Sequence, residues 1–61
     1  MNYVYVLLKE EVIPYEAVVT VIEGVFRTRK LADNEKQLLE RALSKLEKLW
    51  IEYGVEKWEV K

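Results

Sequence analysis

The chain has 61 residues, 51% hydrophobic and 34% charged, with 10 basic and 11 acidic side chains. That is too apolar for a disordered chain, and a net charge of −1 argues against a general nucleic-acid binder, which is normally strongly basic. With no cysteine and no histidine, disulfides and thiolate metal sites cannot brace a fold that buries only about 60% of its unfolded surface, and the commonest catalytic bases and nucleophiles are missing.

Tyr3 to Leu8 is β-branched, aromatic and apolar throughout, and predicts a strand. Val4, Val6 and Leu8 share one face; Tyr3, Tyr5 and Leu7 share the other. Two apolar faces suggest a central strand. Lys9-Glu10-Glu11 then breaks the run, and Val12-Ile13-Pro14 reads as the rest of a hairpin connection. Tyr15 to Arg27 is the second extended segment. Gly24 interrupts its alternation and marks a bulge or bend that would swap the faces of Val25 and Phe26.

Thr28 is placed to cap a helix starting at Arg29, and Asn34 with Gln37 offers a later start near Glu35. Leu38, Leu39, Ala42, Leu43, Leu46, Leu49, Trp50 and Tyr53 recur with helical spacing. Leu31 and Ala32 are in phase with them. The stripe predicts one helix from Arg29 to Glu52, ended by a left-handed cap at Gly54. Such a helix would reach roughly 36 Å and overhang an eight-residue strand of about 26 Å. Val55 to Val60 is the last strand.

The expected fold is α+β, in the order β-β-α-β, as a single domain over residues 1–61. The three strands form an antiparallel sheet in order 2-1-3, with one long helix on one face. Leu39, Leu43, Leu46 and Trp50 are expected to pack on Val4, Val6 and Trp58, with Phe26 also in the core. The uncovered face would then show Tyr3, Tyr5 and Leu7, joined by Val19 and Val21. The overhang of the long helix would leave Leu38 or Leu49 near an end without an intramolecular partner. A patch of this kind usually marks an interface, and a short chain without staples often uses a second copy. A homodimer follows as the expectation, paired sheet to sheet or by exchanged helices.

Chemistry-bearing residues are sparse. Ser44 is the single serine and lies in the helical stripe without a base. Glu10-Glu11 lacks the spacing of a calcium loop. No metal, cofactor or catalytic group is expected. Arg27, Arg29 and Lys30 form the one basic cluster, at a helix start that already favours anions. Three charges alone supply little affinity at physiological salt. No apolar run approaches the roughly 20 residues of a membrane span. The N-terminus lacks a basic region and a small-residue cleavage site, so a cytoplasmic location is expected.

Gly24-Val25-Phe26, Thr28, Ala32 and Glu56-Lys57-Trp58-Glu59-Val60 together resemble a group of very small bacterial and phage proteins. In that group a GVF-Ser/Thr strand end runs into a helix, and an E-x-W-E-V strand closes the sheet. The group is similar to phage anti-defence inhibitors of the anti-Hachiman type. The resemblance implies a phage or bacterial accessory protein that binds and inhibits or scaffolds another protein. The chain departs from the group in its longer expected helix and apolar first loop, and the motif residues carry structural roles. The alternative reading is a small nucleic-acid-binding or transcription-regulatory module, which would need salt-sensitive binding to DNA or RNA.

Overall fold

The computed structural model describes residues 2–13 and 17–60; the part of the expected hairpin connection and second strand at Pro14, Tyr15 and Glu16 lies outside them. Strand β1 is Asn2–Val12, β2 is Val18–Phe26, helix α1 is Arg29–Ala42, and β3 is Ile51–Val60. A short 3₁₀ turn, Glu47–Leu49, precedes β3. The sheet order is β2-β1-β3 with both pairings antiparallel. This is the α+β arrangement that the two apolar faces of β1 imply.

Thr28 caps α1 as its position suggested: its hydroxyl accepts from the Leu31 amide at 3.2 Å, and the helix starts at Arg29. At the other end the outcome differs. The helix stops at Ala42 rather than near Glu52. Leu43 turns to extended angles, and Ser44 and Glu47 close a reciprocal pair. The Ser44 amide donates to Glu47 Oε1 and the Glu47 amide donates to Ser44 Oγ, both at 3.1 Å. This is the Ser-x-x-Glu capping box, and it starts a new turn where the leucine stripe predicts more helix.

The second cause is the sheet. β3 pairs with β1 without interruption from Ile51 opposite Glu11 to Val60 opposite Asn2. A longer helix would forfeit the first part of that ladder. Gly54 is therefore a strand residue opposite Leu8, not a left-handed cap. Likewise Lys9-Glu10-Glu11 belongs to β1, because each of the three has a partner on both neighbouring strands. With 14 residues, α1 spans about 21 Å. The predicted overhang does not exist.

The bulge is present. Leu7 pairs with Gly24 and Leu8 with Ile22, which leaves Glu23 as the extra residue. A Cβ on Gly24 would sit 3.0 Å from the Phe26 ring, so glycine lets that ring fold back over the bend. As a result Val25 shares a face with Val18 and Ile22, while Phe26 shares one with Val19 and Val21.

Directly opposed residues project to the same side of a sheet. Tyr5, Leu7, Lys9 and Glu11 thus share a face with Phe26, Val21 and Val19 and with Val55, Tyr53 and Ile51. The helix lies on this face. The Arg29 guanidinium stands 5.4 Å from the Tyr5 ring centre, and Glu40 and Leu43 border a cleft with Ile51 and Tyr53. The expected assignment is therefore inverted: α1 covers the Tyr5 and Leu7 side and leaves the Val4, Val6 and Trp58 side open. Leu7 is fully buried, at 0% exposure.

The core is correspondingly thin. Val6, Leu7, Leu8, Ala32 and Tyr53 are buried. Leu39, Leu43, Trp50 and Phe26 are half-buried, while Leu46 and Trp58 are exposed. The molecule measures 40 × 24 × 10 Å, with a radius of gyration of 12.8 Å; a compact domain of this length has about 10.5 Å. It is a slab with one side bare.

Candidate protein-interaction surfaces

The bare side is the first surface. Along β1 it presents Val4, Val6, Leu8 and Val12; along β2, Val18, Ile22 and Val25; along β3, Trp58 and Val60. Val6 and Leu8 are hemmed in by neighbouring strands, but Val12, Val18, Ile22, Val25, Trp58 and Val60 are each exposed. The same pairings put Glu10, Thr20, Glu52 and Glu56 on this side, Glu56 opposite Val6 and Glu10 between Thr20 and Glu52, so the apolar residues fall into a larger group around Ile22, Val25 and Trp58 and a smaller one at Val12 and Val18. Trp58 Nε1 donates to Glu56 Oε2 at 2.9 Å, so the indole's one polar atom is satisfied within its own strand and its ring remains as apolar area. Leu49, 77% exposed, extends the surface at one end, where it borders a recess with Val12 and Trp50.

The second surface lies on the helix side, beside β2. Successive helical residues turn by about 100°. Ala32 and Leu39 therefore point the same way, toward the sheet, where Ala32 is fully buried. Glu40 and Leu43 lie on the flank facing β3. Leu31 and Leu38 fall on the opposite flank, toward β2, and both are exposed. Beneath that flank Val19 and Val21 are also exposed, at 41% and 47%.

The residues singled out from sequence thus separate. Val19, Val21 and Leu38 lie on the same side of the sheet and are all exposed. Leu49 belongs to the end of the open face. Leu7 is core and unavailable. Tyr3 and Tyr5 lie on the helix side, each beneath a cation: Lys57 Nζ is 4.1 Å from the Tyr3 ring centre, and Arg29 stacks on Tyr5. All three residues of the basic cluster, Arg27, Arg29 and Lys30, are exposed, and Arg29 also stands over Tyr5. Val12, Val18, Ile22, Val25, Trp58 and Val60 were missed as surface residues. The alternation of β1 and the face swap at Gly24 contain their grouping, but not which group the helix leaves bare.

Among the described residues, no three acidic side chains gather closely enough to hold a metal ion. Glu47 has its carboxyl held below the ordinary range, first by the Ser44 amide, then by the Ser44 side chain, with Lys9 adding a smaller favourable charge. That shift belongs to the capping box and is structural. No helix of the described residues is long and apolar enough to cross a membrane. No family model matches this chain, and no curated protein or solved structure matches it.

Proposed function

We propose that this chain is a non-catalytic protein-interaction module that self-associates as a homodimer and uses its open sheet face to bind, and so block or scaffold, another protein. The observation that carries the reading is the exposed apolar group on the bare face, Ile22, Val25, Trp58 and Val60. Monomers seldom leave a contiguous apolar patch beyond a few hundred Å².

The surface area supports the same reading. The chain exposes 5016 Å², whereas a folded monomer of 7.3 kDa exposes about 4,200 Å². The excess, about 800 Å², reflects the flat shape and is similar in size to one partner's share of a standard interface. Trp58 supplies an amphipathic anchor of the kind that dominates such contacts. The GVF-Thr and E-x-W-E-V resemblance narrows the proposal to a phage or bacterial accessory protein acting on a host protein in the cytoplasm, with anti-defence inhibition as the specific form.

The test compares the wild type with a Val25→Glu/Val60→Glu double variant, whose two sites are exposed on the open face. Light scattering gives the mass, circular dichroism the fold, and capture from bacterial lysate the bound proteins. Expected is a folded, dimeric variant that loses the proteins enriched by the wild type. Equal recovery by both refutes the open face as the binding surface. A variant that becomes monomeric reassigns that face to self-association.

A further inference from the structure

We propose that the second copy docks along the outer edge of β2, about a two-fold axis through Thr20, so that two three-stranded sheets join into one of six. This rests on the homodimer reading and names the surface that serves it.

The two edges of the sheet differ in kind. β3 carries Glu52, Glu56, Lys57 and Glu59 along its length, and charge on an edge strand discourages pairing. The stretch from Ala17 to Ile22, Ala-Val-Val-Thr-Val-Ile, holds no charge, no glycine and no proline. An exposed edge of that composition invites another strand.

The backbone is set for it. The Val12 amide donates to the Trp50 carbonyl at 2.8 Å, so Val12 turns its polar groups toward β3. Its opposite number, Val18, therefore turns its own away from β1. The Ile13 amide donating to the Ala17 carbonyl at 3.4 Å gives the same phase. By alternation, the amides and carbonyls of Val18, Thr20 and Ile22 point outward. The bulge at Glu23 ends this straight run.

The run is complementary to itself. An axis through Thr20 sets Val18 opposite the partner's Ile22 on the open face and Thr20 opposite the partner's Thr20. On the helix face it sets Val19 opposite the partner's Val21. The outward groups then form about six backbone hydrogen bonds. Because the axis is perpendicular to the sheet, both helices stay on one side. The flank of α1 that carries Leu38 faces β2, so the two copies of Leu38 approach over the paired valines. Val19, Val21 and Leu38 are buried together by this one operation. The charged β3 strands become the outer edges, which closes the assembly at two copies instead of extending it. The two open faces merge into one larger surface for a foreign protein.

Two substitutions test the edge. The chain has no native cysteine, so Thr20→Cys places a single thiol at the axis. Hydrogen-bonded antiparallel partners have Cα atoms about 5.5 Å apart, within the roughly 4.4–6.8 Å that a disulfide spans. With oxidised glutathione, Thr20→Cys should form a covalent dimer at least tenfold faster than Glu59→Cys on β3. Thr20→Pro removes an outward donor and should leave the monomer's own ladder intact. Its mass by light scattering should halve, with the strand signal in circular dichroism retained. A wild type that is monomeric at hundreds of micromolar refutes the homodimer reading and this inference with it. A wild-type dimer in which the two cysteines cross-link at equal rates, or in which a folded Thr20→Pro stays dimeric, overturns the edge alone. If Thr20→Pro fails to fold, the cysteine comparison decides.

Discussion

Leu7→Ala is the sharpest probe of where the core lies. Leu7 is fully buried at the centre of β1, between Gly24 and Val55 on the face that α1 covers. Truncation removes three carbons, worth about 2.4 kcal/mol of transfer free energy at roughly 0.8 kcal/mol per methylene. A residual cavity brings the expected loss to about 3–5 kcal/mol. The site cannot collapse easily, because the backbone on both sides is held in ladders and Gly24 has no side chain to move in. A domain of this length has a total stability of about 3–9 kcal/mol, so the variant should be largely unfolded or close to it. Urea titration followed by Trp50 and Trp58 fluorescence measures the loss, at fixed protein concentration so that any concentration-dependent term is the same for both chains. Leu49→Ala is the matched control, since Leu49 is exposed and its truncation should change stability by less than about 0.5 kcal/mol. A loss below about 1 kcal/mol for Leu7→Ala would refute the placement of the helix on this face.

Gly54→Ala separates a strand glycine from a helix cap. The backbone at Gly54 is not left-handed and a Cβ there meets nothing within 4 Å, so the substitution should stabilise by about 0.4–1 kcal/mol through the unfolded chain; a lower urea midpoint would overturn the strand assignment. Glu47→Gln tests the capping box by pH. The Glu47 carboxyl titrates below its ordinary range in the folded state, so its contribution is complete above the unfolded value of about 4.3 and is lost as pH falls through the lower folded value. The variant should therefore show a shallower loss of urea midpoint on acidification than the wild type, and parallel curves would contradict the role given to the Ser44 amide.

Much of the architecture was legible because it rests on local chemistry. Six apolar residues in a row at Tyr3 to Leu8 marked a strand with two faces to cover, and that alone placed it between the others. Thr28 marked the helix start through a hydroxyl that needs only a neighbouring amide. Gly24 marked the bulge. The Ser44-x-x-Glu47 box was legible too, yet it lies under a leucine stripe whose spacing continues through Trp50. Periodicity reports which residues would share a helical face; it does not report what the same residues gain elsewhere. Leu43, Leu46 and Leu49 keep helical spacing, yet none of them is fully buried.

Only the tertiary structure decided where the helix ends and which side it covers. Its end is a competition between local helix bonds and a ladder to β1, which lies some forty residues away in sequence and is long because β1 itself runs through Lys9-Glu10-Glu11 to Val12. Its side depends on the hand of the connection from β2 through α1 to the parallel strand β3, a property of the chain path and not of any residue. Both faces of β1 are apolar, so the pattern is the same for either choice. That choice sends Leu7 into the core and leaves Val25 and Trp58 on the surface. The composition required an apolar surface on so small a chain, and the crossover determined which residues form it.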